Sequence, residues 1–207
     1  MIYSDKIDIQ NLPLSFKSNL INSLTGLKPA NLVGTVSQQG NSNLAMISSV
    51  VHLSSDPPVI GFFTRNRTNN PGDTLINIME SQHYTISHVG KDFVNEAHHT
   101  SQKFDRCISE FEVCGLTEYY IEGFNAPFVR ESGIGLGLEW KENVQVKTSG
   151  TVMIVGSIQH IFVNPSWIGT DGAIDLQDAS SLGVAGRNTY YSCIKIADFK
   201  NHIPQHQ

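Results

Sequence analysis

From Ala30 onward, short runs of Val, Ile, Thr and Phe are separated by clusters of Gly, Asn and Pro. Runs of that length and make-up, broken by turn formers, read as strands. They fall near Asn31–Ser37, Ala45–Ser54, Val59–Thr64, His83–Val89, Phe128–Ser132, Gly135–Val146, Thr151–Phe162 and Tyr190–Ala197. Two segments have a helical period instead. Phe16, Leu20 and Leu24 recur four apart within residues 15–27, which predicts a short surface helix closed by Gly26. Asp73 to Gln82 sets Leu75, Ile76 and Met79 on one face, and Asp73 is an acceptable cap. Asn95–Arg106 is polar, a second helix or an ordered loop. Nothing repeats at a fixed period and no low-complexity linker divides the chain. The reading is therefore one domain over 1–207, with a core at about 30–197 and a polar tail at 200–207. Many strands with few helices, and no βαβ alternation, predict a mainly β fold. A closed antiparallel barrel with small helical insertions fits best.

Composition narrows the class. The 207 residues are 40% hydrophobic and 16% charged, which argues against disorder. Fourteen basic and nineteen acidic side chains leave a net charge of -5. No basic excess marks a nucleic-acid footprint. The three cysteines, Cys107, Cys114 and Cys193, cannot all pair and form no CxxC site, so reduced thiols and a cytoplasmic address are expected. Charges fall early in the chain where a signal peptide needs an apolar stretch. The longest apolar stretches, Ala45–Leu53 and Val152–Ile158, are half a membrane span or less, so no membrane partner is expected.

Four segments carry candidate chemistry. Ser48-Ser49 interrupts an apolar run, and buried hydroxyls need partners. They bond locally to backbone, or they face a polar ligand. Thr64, Arg65, Arg67, Thr68, Asn69 and Asn70 precede the helix that opens near Asp73 or Thr74. Arginine forks, hydroxyls and a helix N-terminus all suit a phosphate dianion. The bland alternative is a solvated basic loop. Asp73 would repel a phosphate unless it caps the helix. His98-His99 suggests a metal, but neighbours on a helix point about 100° apart and no partner lies at i+4, so no metal site is assigned. Leu182-Gly-Val-Ala-Gly-Arg187 reads as a glycine-rich turn, with Arg187 a possible anion contact. Gly133-Ile-Gly-Leu-Gly-Leu lacks the GxGxxG spacing of a dinucleotide fold, and no GxSxG supports a hydrolytic triad.

Taken in order, these segments resemble the flavin reductase-like, FMN-binding split-barrel family. Asn43-x-x-Met-x-Ser-Ser followed by Ser54-Ser-Asp-Pro-Pro resembles its signature strand pair. Asp73-Thr-Leu, Ser109-Glu-Phe, Ala126-Pro-Phe-Val-Arg, Gly150-Thr-Val-Met-Ile-Val-Gly and Gly186-Arg-Asn-Thr-Tyr-Tyr resemble its later elements. The resemblance implies a Greek-key split β-barrel that forms homodimers with FMN at the interface. It implies that Met46, Ile47, Ser48, Ser49, Val50 and Val51 lie along the flavin ring and ribityl chain. Thr64, Arg65, Arg67 and Thr74 would hold the phosphate. Asn95, His98 and Thr100 would belong to a loop near the flavin.

The implied activity is an NAD(P)H-dependent flavin reductase or oxidoreductase. NADH or NADPH would supply hydride to flavin N5, and electrons would leave to oxygen, free flavin or a partner monooxygenase. The flavin carries the redox chemistry, so no catalytic side chain is assigned. The alternative is a non-catalytic flavin or haem binding or storage protein of the same fold.

Overall fold

The computed structural model describes residues 7–65 and 72–199. Helix α1 (Leu14–Leu24) leads into β1 (Lys28–Pro29), β2 (Asn31–Val36), β3 (Ser42–Ile47), β4 (Val51–Ser55) and β5 (Pro58–Arg65). Then follow α2 (Asp73–Ser81), β6 (His83–His88), α3 (Val94–His99) and α4 (Glu110–Cys114). The second half is β7 (Glu118–Ile121), β8 (Phe124–Val129), β9 (Ile134–Val146), β10 (Thr151–Val163), β11 (Leu182–Ala185) and β12 (Thr189–Ser192).

Seven strands form one antiparallel sheet in the order β3-β2-β6-β9-β10-β5-β4. Its two edges, β3 and β4, are consecutive in the chain. Only residues 48–50 join Ile47 to Val51. Four Cα steps reach at most about 14 Å. A flat sheet of seven strands would hold its edges roughly 29 Å apart. The sheet must therefore curl until its edges nearly meet. It does not close, because β3 and β4 share no ladder. The closed barrel expected from the strand pattern is corrected to the split one that the family resemblance implied, with the split at Ser48–Val50.

Two cores sit on either side of this wall. Val33, Phe62, Tyr84, Ile86, Leu138, Val152 and Ile154 fill the barrel, plugged by Leu75 and Ile78 of α2. Leu32, Leu44, Val89, Phe93, Phe111, Leu182 and Val184 form the outer core beneath α3, α4 and the small sheet. β2 contributes to both, so it is buried on both faces and shows no alternation.

Other expectations change locally. Ala45–Ser54 is two strands, since the edges of the split need a connection there. Helix α2 is capped by Gly72, and Asp73 lies in its first turn. Gly183 belongs to strand β11, not to a turn: any side chain there would collide with Leu27, which packs over it. β12 ends at Ser192, and β8 begins at Phe124. Helix α1 ends before Gly26, at φ +75°, and buries none of its residues.

Candidate functional site

The split positions the main cleft. Beyond Val51, which pairs with Gly61, the backbone ladder between β4 and β5 stops. The Ser49 side chain continues it: its hydroxyl accepts from the Phe63 amide at 3.1 Å and donates to the Phe63 carbonyl at 2.9 Å. Ser49 therefore bonds to backbone, the plainer of the two readings. Neither Ser48 nor Ser49 lies in a strand, which corrects the apolar run expected there. Ser48 lines the cleft opening beside this clip.

That cleft has a volume of about 490 Å³. Met46, Ile47, Ser48 and Ser49 form one wall, and Phe63, Thr64 and Arg65 of β5 form the next. Arg65 sits opposite Thr151 at the last rung of the β5–β10 ladder. The third wall comes from far along the chain. β1 pairs with β11 through Lys28 and Val184, and Val184 faces Tyr190 of β12. The turn between β11 and β12, with Gly186 at φ +63°, presents Arg187 and Asn188 to the cleft.

A smaller hollow of about 280 Å³ adjoins it, sharing Met46 and Ser101, and is lined by Thr74, Thr100 and Lys103 at the start of α2. The Thr74 hydroxyl donates to Asn43 Oδ1 at 3.1 Å, and Asn43 Nδ2 donates to Glu110 at 2.8 Å. Its proton is thus engaged, and the donors left at this helix end are first-turn amides. Asp73 does not cap. It lies 3.6 Å from Arg106, which also approaches Glu80 at 3.7 Å. That pairing offsets the negative charge at the mouth of the hollow.

The remaining candidates are spread out. Thr100 is buried and its hydroxyl donates to the Ala97 carbonyl at 2.8 Å. His98 stands one step behind the main cleft, its Nδ1 2.8 Å from the Tyr190 hydroxyl. Burial raises the Tyr190 pKa, so this hydroxyl stays protonated at neutral pH. Val50 packs with the barrel core, while Val51 is exposed. Asn95 is exposed on α3 and lines neither hollow. Arg67 lies outside the described residues. His99 lies edge-on to Phe104.

The sequence reading did not single out Asn22, Ser101, Thr151, Asn188 or Tyr190 as site residues. No local signal could have found them, because strand pairing alone brings residues 22, 151 and 190 together.

The geometry suits a flavin mononucleotide. The volume lies in the range of about 300–1,000 Å³ typical of small-molecule sites. Met46, Phe63, Val184 and Tyr190 offer an apolar floor for a flat ring, and Arg65 and Arg187 offer forks for an anion.

Fold and cleft together define a split-barrel protein whose main cleft opens at the split. The chain belongs to the flavin reductase-like domain family, whose model matches residues 27–171. It is similar to a candidate flavin reductase with a split barrel domain from Shewanella frigidimarina. That crystal structure is 37% identical and superposes with a TM-score of 0.90, covering 97% of this chain and 100% of the other. Nitrilotriacetate monooxygenase component B from Bacillus cereus shares the fold, with a TM-score of 0.85 at 17% identity over 96% of this chain and 100% of that one. An uncharacterised protein of Aquifex aeolicus is 27% identical over 116 residues, 56% of this chain and 59% of that protein. The match thus spans less than two thirds of that relative. Among the described residues no helix is long and apolar enough to cross a membrane.

Proposed function

We propose that this chain is an FMN-dependent flavin oxidoreductase that takes electrons from NADH or NADPH. The carrying observation is the cleft at the barrel split, where an apolar floor meets two arginines on separate walls. When bound, FMN supplies hydride acceptance and onward electron transfer. The protein's part is to bind, orient and shield. Met46, Phe63 and Val184 exclude water from one end of the cleft. Ser48, Thr64 and Asn188 offer hydrogen bonds to a polyol chain. Arg65, Arg187 and the α2 amides supply positive charge for phosphate groups. Tyr190, held by His98, fixes one wall of the ring site. No acid or base on the protein is required, which agrees with the lack of a catalytic constellation in the sequence.

The same reading expects a homodimer in the cytoplasm, with oxygen, free flavin or a monooxygenase as acceptor. Helix α1 supports a second copy, since Leu14, Phe16 and Leu24 are 83%, 56% and 69% exposed among the described residues.

The test is the visible spectrum of the purified protein, then denaturation and identification of any released chromophore, with FMN titration of colourless protein. One FMN per chain and oxidation of NADH or NADPH are expected. A Soret band, or no affinity for FMN, overturns the proposal. FMN binding with neither nicotinamide oxidised leaves a flavin carrier and removes the enzymatic part.

A further inference from the structure

The far end of β10 bears a second hollow, of about 230 Å³, walled by Tyr119, Phe128 and Phe162. It shares no lining residue with the cleft at the split. Thr151 and Phe162 stand at opposite ends of the strand, so the two sites are separated by roughly 35 Å.

Three features define what this hollow can hold. The rings are in mutual contact, with centroids 5.0 Å apart for Phe128–Phe162 and 5.7 Å for Tyr119–Phe162. Their planes are inclined at 70° and 87°. Rings set edge to face leave ring faces open to a further flat group. Tyr119 and Phe162 are 38% and 37% exposed, so the walls face solvent.

Gly135 makes room for this arrangement. It pairs with Phe162 across the ladder, and a Cβ there would stand only 3.1 Å from the Phe128 ring.

Arg130 supplies the charge. Its guanidinium lies 5.4 Å from the centre of the Tyr119 ring. Among the described residues no carboxylate lies within ion-pairing distance of it. The adjacent acid and the one on the paired strand are engaged elsewhere: both oxygens of Glu131 accept from the Thr117 amide, and Glu118, opposite Val129, accepts from Ser42 and Tyr120. The Ser132 hydroxyl is likewise turned to the carbonyls of His88 and Ile134. The rim therefore carries one uncompensated, bidentate cation beside flat apolar walls, with the Tyr119 hydroxyl as a single neutral donor beside it.

We propose that this hollow is a binding site for a small planar aromatic monocarboxylate, separate from the flavin cleft. The ring would lie against Tyr119, Phe128 and Phe162, and the carboxylate would take the Arg130 fork.

The test is calorimetric titration of the full chain with benzoate, with benzamide and cyclohexanecarboxylate as the neutral and non-planar controls. One benzoate per chain is expected, with both controls about tenfold weaker or more. Arg130→Gln should weaken benzoate by a similar factor and leave FMN titration unchanged. A Gly135→Val variant, which fills the floor, should lose benzoate binding, and Arg130→Gln keeps the test decisive if that variant fails to fold. No benzoate binding, equal binding of benzamide, or displacement of benzoate by FMN overturns the proposal. So does an Arg130→Gln variant that loses self-association while binding benzoate normally, which would make the hollow a protein interface.

Discussion

At the scale of single residues, the site is a set of side chains whose hydrogen-bonding capacity is already divided between the fold and the cleft. Ser49 is used by the Phe63 backbone and Thr74 by Asn43, whereas Arg65 and Arg187 have no carboxylate partner among the described residues. Under the proposed function, the arginines therefore carry the anion affinity. A double Arg65→Ala, Arg67→Ala variant should stay folded and bind FMN at least about tenfold more weakly, each charge-assisted contact contributing roughly 1.5–3 kcal/mol. Fluorescence titration reads this directly, and unchanged affinity would remove the phosphate role from these residues. Arg65, Ser48 and Met46 were legible in the sequence because turn formers and a strand signature surround them. Tyr190 and Asn22 were not, because the cleft residues they meet, such as Ser101 for Tyr190 and Arg187 for Asn22, are far away in the chain.

At the scale of elements, the boundaries drawn from the strand pattern held to within a residue for β2, β5, β6, β9 and β10. They failed where tertiary packing chose the conformation. Leu182–Ala185 contains a glycine and looked like a turn, yet Leu27 needs that missing side chain in order to pack. β10 shows the same logic inside the barrel. Its ladder with β9 shifts register between Val155 and Gly156, and a Cβ at Gly156 would overlap the Tyr84 hydroxyl. That hydroxyl is fully buried without a hydrogen-bond partner. Gly156→Ala is expected to destabilise the protein by about 1–3 kcal/mol, the usual cost of overpacking. Tyr84→Phe alone should be neutral or stabilising, since it removes a polar group that satisfies nothing. Combining the two should recover part of the loss, since the ring carbons Cζ and Cε1, at 2.9 and 3.0 Å from that Cβ, remain. Urea unfolding of the three variants checks it, and additive effects without recovery would contradict the assigned contact.

At the scale of the whole molecule, the strand pattern conveyed the class of fold but not its openness, which only the family resemblance implied. An antiparallel barrel follows from many short strands, whereas the split depends on three residues between two edges. His88 shows how distant segments are tied together. It ends β6, its Nδ1 lies 3.2 Å from the Ser181 hydroxyl, and its carbonyl accepts from Ser132 at 2.8 Å. Burial lowers its pKa below the usual 6.5. The unfolded chain therefore takes up this proton at a higher pH than the folded one does. The contribution of His88 is present above about 6.5 and is lost as pH falls from there through the folded value. Melting temperatures from pH 7.5 to 5 should fall, and His88→Gln should flatten that slope. An identical slope in the variant would mean that other groups carry it.

The pairing of β1 with β11 has a consequence for how the protein is made. Lys28 waits for Val184, so the third wall of the cleft does not exist until the chain has been made past β11. Contacts this far apart in sequence form late in folding. The barrel strands and two walls of the cleft are therefore made before the third wall is. Under the proposed function, chains truncated before β11 should bind FMN more weakly than the full chain does.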